Sequence, residues 1–67
     1  MDPSLKIRQD MALGKYSGMN PVDQHRVLYH IDALAKDKGY NNQMDLKQKK
    51  PYIWDQMCAD VVIRLFP

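Results

Sequence analysis

The sequence predicts an all-α fold: a small bundle of three main helices, with an extra short helical turn before the last. Three observations carry this. Apolar residues recur at helical spacing in two long segments. Asp-Pro and Asn-Pro pairs stand where helices should begin. Glycines and a polar run stand where they should end.

The first helix runs from Asp2-Pro3 to Leu13-Gly14. Asp2 serves as N-cap, and Pro3 takes the first helical position, where its missing N–H costs nothing. Leu5, Ile7, Met11, Ala12 and Leu13 are its apolar set. Leu5, Met11 and Ala12 share a face, Ile7 and Met11 form an i,i+4 pair, and Gly14 is the expected C-terminal stop. Lys15 to Met19, containing Ser17 and Gly18, reads as a connector.

The second helix has the strongest start signal. Asn20 is a preferred N-cap, Pro21 follows it, and Asp23 complements the positive end of the helix dipole. Val27, Leu28, Ile31, Leu34 and Ala35 make one apolar face. Lys36 and Lys38 lie in the last turn, and Gly39 ends the helix.

Tyr40 to Gln43 forms a polar turn, and Met44 to Lys49 one helical turn anchored by Met44 and Leu46. The third main helix starts near Pro51 and reaches about Leu65. Ile53, Trp54, Met57, Cys58, Val61, Val62, Leu65 and Phe66 form a wide apolar stripe along it. The β-branched run Val61-Val62-Ile63 favours strand by propensity. It keeps the helical register and has no partner strand, so it reads as helix. The second and third main helices are expected to pack on each other in an orthogonal or open arrangement.

A chain of 67 residues is one domain, residues 1–67. Its unfolded surface is only about 60% buried on folding, so the core is marginal and depends on close packing or a partner. With 45% hydrophobic and 27% charged residues the composition is that of a globular chain. One cysteine, Cys58, excludes an internal disulfide. No apolar run is long enough for a membrane span. The charged N-terminus does not resemble an export signal, so a reducing, cytoplasmic setting is expected.

Candidates for catalysis are weak, and no enzyme activity, cofactor, metal or small-molecule substrate is expected. His25 and His30 are five apart, about 140° around a helix, whereas a chelating pair wants i,i+4. Cys58 sits within the apolar stripe and behaves as a small hydrophobe. Gly14, Gly18 and Gly39 match no phosphate-binding loop.

Two features point to binding instead. The first is basic: Lys36, Lys38, Lys47, Lys49 and Lys50 flank a turn containing Tyr40, Asn41 and Asn42. Lysines can meet phosphates, asparagines can read adenine edges, and a tyrosine can stack. Against it stand a net charge of only +2 and the absence of a clean helix-turn-helix spacing. The second is apolar: Trp54, Val62, Leu65 and Phe66 belong to a stripe that is generous for so short a chain. Trp54 is either a core plug or an interface anchor. The leading expectation is therefore a small regulator of gene expression that binds nucleic acid through the lysine-rich turn, as a homodimer. The alternative is a protein-interaction module acting through the last helix.

Overall fold

Helix starts and stops set the architecture. The computed structural model describes residues 3–67 and contains four helices: α1 (Pro3–Ser17), α2 (Pro21–Asp37), α3 (Gln43–Lys49) and α4 (Pro51–Leu65). No strand occurs among the described residues. The helix is continuous through Val61-Val62-Ile63. The short turn expected before the last helix is a helix of seven residues.

α2 begins and ends on side-chain and backbone caps. Asn20 is extended, and its Oδ1 accepts from the Asp23 backbone N–H at 2.9 Å. At the other end Gly39 takes φ 96°, the left-handed region open to glycine. The Gly39 N–H donates to the Lys36 carbonyl and the Tyr40 N–H to the Ala35 carbonyl, a Schellman closure.

α1 departs from the expected boundaries. It does not stop at Gly14 but continues to Ser17, so the connector shrinks to residues 18–20. Tertiary contact outweighs the glycine's low helix propensity. The extra turn carries Tyr16 onto Trp54, ring centroids 6.1 Å apart and edge-on. Gln24 of α2 then donates to the Tyr16 carbonyl at 2.9 Å, satisfying an orphan acceptor at the helix end. The expected Asp2 cap lies outside the described residues.

α3 is held at its N-terminus from two sides. The Asn42 side chain accepts from the Asp45 N–H at 2.8 Å. Asp32, on α2, accepts from the Gln43 N–H at 2.7 Å. Leu46 is fully buried, whereas Met44, expected as a second anchor, is exposed.

α4 is the hub: it packs against each of the other three helices, while α1 rests chiefly on α4. The core takes Val27, Ile31 and Ala35 from α2, Leu46 from α3, and Trp54, Met57, Cys58, Ala59, Val61 and Val62 from α4. α1 adds only Ala12, with Leu13 and Tyr16 partly buried against it. Leu5 and Met11, expected on the core face, are instead exposed, as is Ile7. Leu34 of α2 is likewise at the surface. The Cα envelope measures 31 × 31 × 17 Å. That is about two helices thick at a packing distance of about 8–10 Å, so no helix can bury its whole circumference.

Candidate functional site

The lysine-rich turn is assembled by α3 and its caps. Asp32 joins Lys36, at 3.4 Å, to the start of α3. Asp45 accepts from the Asn41 backbone N–H at 3.0 Å and pairs with Lys49 at 3.0 Å. These contacts hold both carboxyls below the usual carboxylate range, each chiefly through its bond to a backbone N–H and then through its lysine. Lys47 lies over the Trp54 ring, its ammonium 4.3 Å from the ring centroid. Tyr40 is half-buried against the core, and Asn42 is occupied as a helix cap. Five lysines therefore share their surroundings with Asp32, Asp37 and Asp45, and three of the five contact a carboxylate or the indole. Lys38 and Lys50 are exposed at the ends of α2 and α3.

Trp54 and Val62, expected at an interface, are 5% and 1% exposed. The Trp54 indole N–H donates to Gln43 Oε1 at 2.8 Å. The core-plug alternative is thus the observed one, and neither side chain is open to a partner. Leu65 and Phe66 are half-buried and pack against the core.

An open apolar surface lies between α1 and α4. One depression of about 360 Å³ has a floor of Ala12, Val62 and Phe66, with Met11, Ile63 and Pro67 at its edges. Two cationic side chains, Arg8 and Lys15, also line it, and no acidic side chain does. A second depression of about 420 Å³ holds Leu5, Ala59 and Asp60, and meets the first at Arg8 and Ile63. The Lys15 ammonium donates to the Phe66 carbonyl at 2.5 Å. Arg26, reaching from α2, stands 5.5 Å above the Phe66 ring. Met11 is 70% exposed, Leu5 62% and Ile63 40%.

Sequence reasoning missed this groove. A signal was present: the apolar residues of α1 fall on more than one side of the helix, so they cannot all face one core. Ile63 likewise lies off the main stripe of α4.

No metal-holding cluster occurs among the described residues. His25 and His30 are exposed, and no three His, Cys, Asp or Glu side chains gather where they could hold a metal. Burial, followed by the nearby Asp55, pushes the Cys58 thiol up to about 11, which keeps it protonated and poorly nucleophilic. No described helix is long and apolar enough to cross a membrane. Comparison with known proteins gives no match: no family model, no curated protein and no solved structure corresponds to this chain.

Proposed function

We propose that this chain is a non-catalytic interaction domain that binds another protein through the α1–α4 groove. One observation carries the reading. The large apolar side chains left open by folding include Leu5 and Met11 on one helix, each sharing a depression with Ile63 on its neighbour. A contiguous exposed apolar surface on a small domain usually marks an interaction site. Methionine at its edge suits a surface that adapts to its partner.

Nucleic-acid binding through the lysine-rich turn is the second reading. Its support is that the lysine side chains stay accessible: Lys36 and Lys49 are about 60% exposed even while paired. Its weakness is charge. Five lysines against Asp32, Asp37 and Asp45 leave a local excess of two, a small field for phosphate binding.

Affinity capture from cells of origin separates the two readings. Four baits are compared: parent, Met11→Glu, the triple variant Lys47→Gln/Lys49→Gln/Lys50→Gln, and parent after nuclease treatment. The groove reading expects one protein partner that survives nuclease and the triple variant and is lost with Met11→Glu. Loss on nuclease treatment and in the triple variant, with Met11→Glu unaffected, would transfer the function to the lysine-rich turn.

A further inference from the structure

We infer that the groove receives an acidic amphipathic segment of its partner: a few apolar side chains flanked by carboxylates. This rests on the groove reading above and adds the chemistry of the occupant. Two cations line the depression and a third touches one of its walls. Arg8 and Lys15 line it from α1, and Arg26 stacks on Phe66 from α2. No acidic side chain lines that part of the groove; the nearest in the adjoining depression is Asp60. An occupant must place apolar groups on Met11, Ile63 and Phe66, above the closed floor, and meet positive charge at the rim. An amphipathic helix lying in a groove does this with anchors spaced one turn apart.

The same geometry disfavours a second copy. A two-fold contact brings each patch against itself. Arg8 and Lys15 of both copies would then gather in one interface whose lining carries no acid in the Met11 depression, and like charges across an interface are costly. An anionic bilayer shares the charge preference. It does not match the shape, because Ala12 and Val62 are 5% and 1% exposed and lie recessed between two helices. A small molecule is poorly served by an open trough on a molecule about two helices thick, since such ligands need to be mostly enclosed.

The test uses the full chain and two labelled helical peptides of about 18 residues, long enough to present two turns of anchors. Both carry Leu and Phe at i, i+3, i+4 and i+7. One has Glu at the flanking positions and its twin has Lys. Fluorescence anisotropy at low salt should show binding of the Glu peptide roughly tenfold or more tighter than its twin, a gap that narrows in high salt. The double variant Arg8→Glu/Lys15→Glu should reverse the preference, which mere loss of structure would not do. If the double variant melts early, Arg8→Glu alone, at an exposed position, should still shrink the gap. Equal binding of both peptides, binding of neither, or no change on charge reversal would overturn the inference. So would a preference for phosphatidylserine vesicles over the Glu peptide. Capture of a partner that depends on Met11 but is indifferent to Arg8→Glu would leave the groove reading standing and remove only its acidic occupant.

Discussion

Trp54 is the side chain on which the helices converge. It belongs to α4, its ring is met edge-on by Tyr16 of α1, and its N–H and upper face are engaged by Gln43 and Lys47 of α3. Truncation removes apolar contact and leaves a cavity, so Trp54→Ala should cost about 3–5 kcal/mol. That approaches the whole stability expected of so small a domain. Far-UV circular dichroism should show the variant largely unfolded at 37 °C; a melt within a few degrees of the parent would deny Trp54 its role. Cys58 offers a second check on burial. With its thiol pushed up to about 11, only about 0.1% is thiolate at pH 8. Ellman's reagent should label the native protein slowly and the guanidinium-unfolded protein at once. Fast native labelling would contradict the closed core.

Two glycines make opposite forecasts at the scale of the element. Gly14 lies inside α1 with ordinary helical backbone, and an added Cβ would meet nothing within 4 Å. Gly14→Ala should stabilise by about 0.5–1 kcal/mol, the usual difference between the two in a helix. Gly39 also has open space around it, but its φ of 96° suits no side chain, so Gly39→Ala should destabilise by about 1 kcal/mol or more. Urea midpoints decide both signs. The capping of α3 brings a pH dependence. Asp32 and Asp45 are held below their ordinary range when folded. Their contribution is therefore complete above the unfolded value of about 4 and is lost as pH falls through the lowered folded values. Between about pH 4 and 2 the parent's urea midpoint should fall more steeply than that of the double variant Asp32→Ala/Asp45→Ala. Parallel curves would show that these carboxylates do not carry α3. The start and stop of α2 and the start of α4 were legible in the sequence because Asn20, Pro21, Gly39 and Pro51 act locally. The end of α1 was not, because Tyr16 and Gln24 decide it through contacts with other elements.

Shape explains the remaining difference between sequence and structure at the scale of the whole molecule. The apolar excess was legible, but it was assigned to the last helix. α4 is the hub, so its stripe is covered from three sides and Trp54 and Val62 vanish into the core. Part of the surplus emerges on α1, which is anchored chiefly through Ala12, Leu13 and Tyr16 and leaves Leu5, Ile7 and Met11 outside. Periodicity gives each helix a face but not which helix is central, and that ordering decides which apolar residues remain open. The lysines are equally visible in the sequence. Their pairing with Asp32 and Asp45 is i,i+4 within α2 and α3, while the bonds of those carboxylates to the Gln43 and Asn41 backbone N–H groups come from the folded turn.

In the function proposed for this chain, the α1–α4 groove, rather than the lysine-rich turn, meets the partner. Site-specific photocrosslinking tests it most directly, with p-benzoylphenylalanine placed at Met11 in one variant and at Lys50 in another, both exposed positions. Irradiation in cells of origin should give a discrete protein adduct from position 11 and none from position 50. An adduct confined to position 50, or nucleic acid attached there and nothing at position 11, would contradict it.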